Sequence, residues 1–328
     1  MAEVSFQVTL ATRDRPVLFE RALKSVLAQD YGSTHVQVLV DGSTPENLAA
    51  YHALETKYQD VTFIYLLPRE NGHGQSYVFN EGVSRSICDY ICFLDDDDEW
   101  TDPEYLSRVA TSLAKASTPV DMHITNQKAY LNDDQLKGPI WLENLTDVLQ
   151  KRHILATAGI PITLADIVSA GGFCHLNTLI VRRQHWLDCG GMEEGIRWEC
   201  DRDVFFRLAD KANGIHYDPA YVSAHYVPDP KAKSSMTTSL AMHHKRLYQL
   251  RVFDRLMALC DDAGIRRYAT RQKGYTLKKM AVELQEAGDN ALALHYAKQA
   301  LAVMPGLKWA AYRLYLSLKA FGGSSGFG

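Results

Sequence analysis

The residues best equipped for chemistry lie together in Cys88-Asp89-Tyr90-Ile91-Cys92-Phe93-Leu94-Asp95-Asp96-Asp97-Asp98-Glu99-Trp100, where a short apolar run delivers four consecutive carboxylates to one point. A strand that ends in Asp-x-Asp suits a hard divalent cation. Such cations take carboxylate oxygens, keep several waters and share their remaining positions with substrate phosphates. The ligand this chemistry calls for is a nucleotide diphosphate. Taken alone, the same run also fits a solvated acidic loop that repels itself. What decides between the two is whatever the rest of the chain brings to the same place.

The flanking sequence supplies the elements that would position this run. Val4, Phe6, Val8 and Leu10 alternate with Ser5, Gln7, Thr9 and Ala11, a period of two that predicts a strand ending near Thr12. Pro16 then suits a first helical turn, and Leu18, Ala22, Leu23, Val26 and Leu27 form one apolar helix face. Residues 36–40 predict a second strand closed by the turn formers Asp41-Gly42-Ser43-Thr44. A helix over 47–58, a strand over 61–67, a helix over 75–87 and a strand over 90–94 follow. Strands alternating with helices imply right-handed crossovers and a mainly parallel sheet covered on both faces, with ligands bound outside the carboxyl ends of the strands. Thr12-Arg13-Asp14, Asp41 and the Asp run all fall at those ends, so three polar clusters converge on one edge.

Beyond residue 126 the pattern weakens. Residues 126–170 predict a loop-rich, substrate-facing segment. Residues 177–182 read as a strand, Gly190-Gly191-Met192-Glu193-Glu194 as a turn, and Val204-Phe205-Phe206-Arg207-Leu208 as the start of a helix. From His243 the chain reads as helical. Two Ala- and Leu-rich stretches, 281–287 and 291–302, are broken by Gly288-Asp289-Asn290 and closed by Pro305, the pattern of a tetratricopeptide repeat that starts again near Trp309. A single repeat needs a supporting surface, either the first domain or another subunit. The expected organisation is an α/β domain over 1–242, a helical, tetratricopeptide-like region over 243–321 and a flexible tail over 322–328.

Composition narrows the classes. A formal charge of −4 argues against a nucleic-acid partner, which normally requires a clustered basic surface. Six cysteines without a CxxC pair fit reduced thiols in a cytoplasmic protein and carry no zinc signature. No stretch approaches the ~18–20 apolar residues of a membrane span. A soluble protein is expected, with peripheral attachment to the inner face of a membrane left open.

In order and spacing, residues 4–230 resemble the inverting family 2 glycosyltransferases of GT-A fold. The resemblance rests on Ala11-Thr12-Arg13-Asp14-Arg15-Pro16, the block from Ala22 to Gln29, Asp41-Gly42-Ser43-Thr44, Asn71-Gly72-His73-Gly74, Asn80-Glu81-Gly82 and the Asp run. It implies that Thr12, Asp14 and Asp41 grip base and ribose, and that Asn71, Gly74, Asp95 and Asp96 complete the nucleotide-sugar site. Mn²⁺ or Mg²⁺ would be held by Asp97, or Asp98 in the alternative register, together with His225. Asp201 falls on the family's general base, although Cys200 stands where the usual neighbour is Glu. His175, Asn177, Trp198 and Glu199 are the acceptor-side candidates, and Lys231, Lys233, Ser234 and Ser235 form a basic loop suited to a diphosphate. The implied partners are a nucleotide diphosphate sugar and a glycan or glycolipid acceptor in surface polysaccharide biosynthesis. A homo-oligomer or protein partner would engage the helical region.

Other readings meet specific obstacles. Helix capping alone also accounts for Asp201 and Asp203. A sugar-phosphate nucleotidyltransferase expects a glycine-rich loop after the first strand, and residues 11–16 contain no glycine. A dinucleotide oxidoreductase needs a third glycine after Gly72-His73-Gly74. A catalytically inactive scaffold acting through the helical repeat is the reading from another class, motivated by the repeat and by Cys200.

Overall fold

A computed structural model describes residues 3–131, 134–136, 140–154, 157–227 and 240–322. The chain divides into two compact units, Met1–Ser235 and Met236–Gly328. The first runs β1 (Phe6–Thr12), α1 (Pro16–Leu27), β2 (Thr34–Val40), α2 (Pro45–Lys57), β3 (Val61–Tyr65), α3 (Gln75–Arg85), β4 (Tyr90–Asp95), β5 (Glu99–Trp100), α4 (Tyr105–Lys115), β6 (Met122–Leu131), β7 (Asp134–Gln135), α5 (Leu145–Lys151), β8 (Ile160–Ile162) and α6 (Leu164–Ala170). A 3₁₀ turn (Leu176–Thr178) then leads to β9 (Leu179–Arg182), α7 (Arg183–Asp188), α8 (Cys200–Lys211) and β10 (Ile215–Tyr226).

The sheet has the order β3-β2-β1-β4-β9-β6-β10-β5, with β7 on β6 and β8 on β10. From β3 to β4 every pairing is parallel. Strand β9 is antiparallel to both β4 and β6, β6 and β10 are parallel, and β5 is antiparallel to β10. Thr12 pairs with Val40 and Ala11 with Asp95, so three strands end at one level and hand their following residues to one edge.

The apolar alternation of β1 puts Phe6, Val8 and Leu10 into a core with Phe19, Leu23 and Val26 of α1 and Tyr105, Leu106 and Val109 of α4. The opposite face, Gln7 and Thr9, is buried as well. Helix α3 approaches it so closely that a Cβ at Gly82 would lie 2.6 Å from Thr9 Cγ2 and 3.1 Å from Gln37 Nε2. Glycine there lets the helix that follows the 71–74 loop sit flat on β1 and β2.

The largest departure from expectation is in residues 126–170. Much of its described part is regular structure: it completes β6, one of the longest strands of the sheet, and supplies β7, α5, β8 and α6. Strand β9 also starts two residues later than predicted, after the 3₁₀ turn.

The second unit contains α9 (Met242–Leu259), α10 (Ala263–Glu286), α11 (Asn290–Val303) and α12 (Leu307–Gly322). Gly288, at φ +88°, turns the chain between α10 and α11. Asp289 caps α11 by accepting from the Leu292 amide (2.9 Å). A cluster of Ala281, Ala293, Leu294, Ala297 and Leu316, joined by Trp309 and Tyr312, forms its core. The two units differ sharply in charge. Residues 1–235 hold 21 Lys and Arg against 33 Asp and Glu, and residues 236–328 hold 14 against 6, so −12 and +8 lie behind the total of −4. All six cysteines are unpaired. Among the described residues no helix is long and apolar enough to cross a membrane.

Candidate active site

At the carboxyl edge of β1, β2 and β4 the expected donor-side residues form one hydrogen-bonded network. Thr12 Oγ1 donates to Asp96 Oδ2 (2.7 Å), so its other 2.7 Å contact is a bond received from the Tyr51 hydroxyl. Tyr51 in turn accepts from the Arg15 amide (3.0 Å). The Arg15 side chain clamps the acidic run, Nη2 lying 2.5 Å from Asp96 and Nη1 2.6 Å from Asp97. Arg21 donates to the Asp97 carbonyl (2.5 Å) and stacks over the Tyr226 ring. Asp14 accepts from the Thr44 amide (2.8 Å) and from Asn47 Nδ2 (3.2 Å), joining the β1 and β2 loops.

Both carboxylate oxygens of Asp41 are engaged by the 71–74 loop, accepting from the His73 (2.8 Å) and Gly74 (2.9 Å) amides. Arg197, just ahead of α8, holds the same loop from the other side through the carbonyls of Asn71 (3.1 Å), Gly72 (3.0 Å) and His73 (3.0 Å). The fit excludes any side chain at residue 72: a Cβ on Gly72 would lie 2.5 Å from Asp41 Oδ2. Among the described residues four non-glycine residues have positive φ, and three of them, Asp14, Asn71 and Glu199, line this region. Backbone strain of this kind concentrates where geometry is held for function.

Asp98 is fully buried and saturated. It accepts from His225 Nδ1 (2.7 Å) and Asn177 Nδ2 (2.6 Å) on one oxygen and from the Tyr226 amide (2.8 Å) on the other. Asn177, itself buried, also accepts from the Asp95 amide (3.1 Å), and so fastens the end of β4 to the segment ahead of β9. Burial alone would lower the His225 pKa, but Asp98, with Asp95 and Asp97 behind it, carries it up to about 9, and the ring is cationic at neutral pH. His175, whose ring centre lies 5.0 Å from that of His225, is pushed down to about 3 by burial and by its charged neighbour, and is neutral. Trp141 meets both rings edge-on.

Asp201 opens α8 and accepts from the Arg202 amide (2.9 Å). Burial, then the nearby Glu199 charge, pushes its carboxyl up to about 6, in the range of a working general base. Gln75 connects this helix to the acidic run: its Nε2 donates to Asp95 (2.6 Å), and its Oε1 accepts from the Cys200 thiol (3.5 Å). Asp203, by contrast, belongs to the frame. It pairs with Arg207 (2.9 Å), which donates to the Cys189 and Gly191 carbonyls. Trp198 and Glu199 lie half-buried at the entry to α8. Lys231, Lys233, Ser234 and Ser235 fall outside the described residues.

The three expected metal ligands are not brought to one point. Asp97 is paired with Arg15, and Asp98 with His225. Among the described residues no group of three or more His, Cys, Asp or Glu side chains could hold a metal ion by itself. The donor set nonetheless fits a hard cation that arrives with a diphosphate, since such an ion needs only one or two carboxylates. Negative charge here is under-compensated. Burial, then Asp98 and Asp97, hold the Asp95 carboxyl well above the usual range. Burial likewise carries Asp96 up to about 7, against the pull of Arg15.

Arg15, Tyr51, Gln75 and Arg197 are the contributors that sequence reasoning did not assign. Arg15 lay inside a recognised motif, but Gln75 and Arg197 carried no signal, because their roles depend on segments more than a hundred residues apart.

Residues 8–163 match the family model described as Glycosyl transferase family 2. Among curated proteins, a glycosyl transferase named for colanic acid biosynthesis, WcaA of Escherichia coli strain K12, is 28% identical over 134 residues, 41% of this chain and 44% of that protein. The GalNAc(5)-diNAcBac-PP-undecaprenol beta-1,3-glucosyltransferase of Campylobacter jejuni is 30% identical over 92 residues, 28% of this chain and 29% of that one. The matched stretch thus spans less than half the length of these relatives. Among solved structures, S. aureus TarS 1-349 in complex with UDP-GlcNAc superposes with a TM-score of 0.67 at 14% identity, covering 97% of this chain and 87% of that one. The mannosyltransferase PcManGT from Pyrobaculum calidifontis with GDP-Man and Mn²⁺ does so with a TM-score of 0.57 at 16% identity, covering 98% and 85%. At these identities the likeness shows a shared fold.

Proposed function

We propose that this chain, with its family 2 match over residues 8–163, moves a sugar from a nucleotide diphosphate donor to a hydroxyl of a glycan or glycolipid acceptor, inverting the anomeric configuration. The observation that carries the reading is the meeting of two clusters. Thr12, Asp41 and the acidic run share one sheet edge, and Gln75 ties that run to the helix that opens with Asp201. Asp201 takes the acceptor hydroxyl's proton as that oxygen bonds the anomeric carbon and the bond to the diphosphate breaks on the opposite side.

Thr12, Asp14, Asp41, Asn71, Gly74, Asp95 and Asp96 serve the donor, and His175, Asn177, Trp198 and Glu199 flank the acceptor. Mn²⁺ or Mg²⁺ held by Asp97, and by Asp98 and His225 once they release each other and His225 gives up its proton, would supply charge neutralisation for the leaving diphosphate. Cationic His225 offers the same kind of help directly. A glycolipid acceptor draws support from the undecaprenol-linked substrate in one relative's name, and a biosynthetic role from the colanic acid in the other's; a surface polysaccharide and a place at the inner face of the membrane are proposed alongside. A boundary near residue 242 and a tetratricopeptide-like character for 243–321 belong to the same proposal.

The donors named in the related structures carry different bases, so the test is a thermal-shift panel of UDP, GDP, CDP and dTDP, each with and without Mn²⁺. A ligand bound only to the folded state raises the melting temperature by mass action. The reading requires a shift for one nucleotide that grows with metal. No shift with any of the four would leave the acidic run without its ligand.

A further inference from the structure

Helix α12 is apolar on two opposite faces, and only one of them is used. Trp309, Tyr312, Leu316 and Ala320 pack into the core of the helical unit. On the other side Leu307, Leu314, Tyr315 and Leu318 recur at helical spacing and are 93%, 57%, 43% and 70% exposed. Exposed Lys308 and Lys319 flank this stripe. The solvated face of a helix in a stack is normally polar. This one presents leucines bordered by lysines, the make-up of a helix that lies in a membrane interface.

Ahead of α12 in the chain, a pocket of about 400 Å³ is lined by Arg266, Arg267, Thr270 and Arg271 of α10 and by Met304 just past α11, three residues before Leu307. Arg266 donates to the Cys260 (3.0 Å) and Asp261 (2.7 Å) carbonyls, and Arg266, Arg267 and Arg271 are all exposed. Guanidinium forks match phosphate geometry, and the Thr270 hydroxyl between them donates to the Arg266 carbonyl (2.8 Å).

We propose that the helical unit docks on an anionic lipid surface, with the α12 stripe in the interface and Arg266, Arg267 and Arg271 on lipid headgroup phosphates. Charge selects this occupant. The unit carries 14 Lys and Arg against 6 Asp and Glu, so a second copy meeting it through the same helical unit would bring like charge, whereas an anionic bilayer is complementary. The leucine stripe in turn selects a bilayer over a soluble polyanion.

Sedimentation of the full chain, without nucleotide, with vesicles of phosphatidylcholine alone or mixed with phosphatidylglycerol tests this independently of the transferase reading. Binding is expected to favour the anionic vesicles and to weaken as salt is raised. Replacing Arg267 and Arg271 together by Gln should weaken it on the order of thirtyfold, at about 1 kcal/mol per basic residue. Leu314→Ser with Leu318→Ser should weaken it by at least roughly tenfold. Both pairs change exposed side chains, so melting temperatures should hold. Equal binding to neutral and anionic vesicles, or none to either, would overturn the proposal. So would a concentration-dependent dimer that the leucine pair abolishes, which would assign the stripe to a second copy.

Discussion

The two halves of the first unit's sheet are built differently. From β3 to β4 the strands are parallel, their interiors are mostly apolar, and the polar residues lie just past their ends: Thr12-Arg13-Asp14, Asp41 and the acidic run. From β9 to β5 the strands run both ways and polar residues sit within them, as with Asn126 and Gln127 of β6 and His225 of β10. In the proposed reaction the first half holds the donor, and the second half, with α8, supplies the base and the charge partners of the leaving group. In that reading donor binding and proton transfer rest on different elements, joined by the bonds of Asp98, Asn177, Gln75 and Arg197.

Replacing Asp201 by Asn tests that separation with the largest effect. The amide keeps shape and the Arg202 contact but cannot accept a proton. Turnover should fall roughly 10²–10⁴-fold, the range expected for a lost general base, while the nucleotide-induced thermal shift stays as in the parent. Loss of both together would join what the comparison separates, and undiminished turnover would remove Asp201 from the chemistry.

Asp98→Ala attacks the seam instead. Its carboxylate comes from the end of the parallel half, whereas all three of its side-chain and amide partners described above come from the other half. Removing it strands a cationic His225 and the buried Asn177 amide, and should cost about 3–5 kcal/mol of unfolding free energy. Denaturant unfolding reads this directly. A loss below about 1 kcal/mol, the size of an ordinary hydrogen bond, would mean that the halves do not depend on this contact.

The same contrast explains what could be read in the sequence. In the parallel half Phe6, Val8 and Leu10 alternate because one strand face meets α1 and α4, and Gly and Asp mark the turns where strands end. Strand β6 gave no such signal. Its Thr125, Asn126 and Gln127 are buried but polar. Thr125 donates to the Thr178 carbonyl (3.2 Å), and Asn126 to the Tyr217 hydroxyl (2.9 Å) and the Pro219 carbonyl (3.0 Å). Polar residues bonded inside a sheet look like a loop when only hydropathy is available. Strand β10 hides for a related reason. Pro219 interrupts it, and the register shifts between Tyr217 and Ser223 that accommodate the interruption arise from pairing with β6. Net charge concealed a division of the chain, since −4 is the sum of an acidic unit and a basic one. The site's main carboxylates were legible because their types and spacing are local. Gln75 and Arg197 were not, because each acts on a segment distant in sequence.

The smallest expected effect concerns pH, and it distinguishes the halves without a mutation. A general base works only when deprotonated. With Asp201 pushed up to about 6, the turnover rate at saturating substrates should be flat above pH 7 and fall tenfold per unit well below 6. On the donor side, Asp96 is carried up to about 7, and burial raises Asp95 well above the usual carboxylate range. Protonation there removes negative charge that a metal-bound diphosphate would require. That loss should appear in kcat/KM for the donor, which reports the free enzyme, at a higher pH than the fall in kcat, which reports the bound complex. Two limbs separated in this order would place rate and donor binding on different carboxylates. A single limb shared by both parameters would tie them to one group, and the functional division between the parallel and mixed halves would not hold.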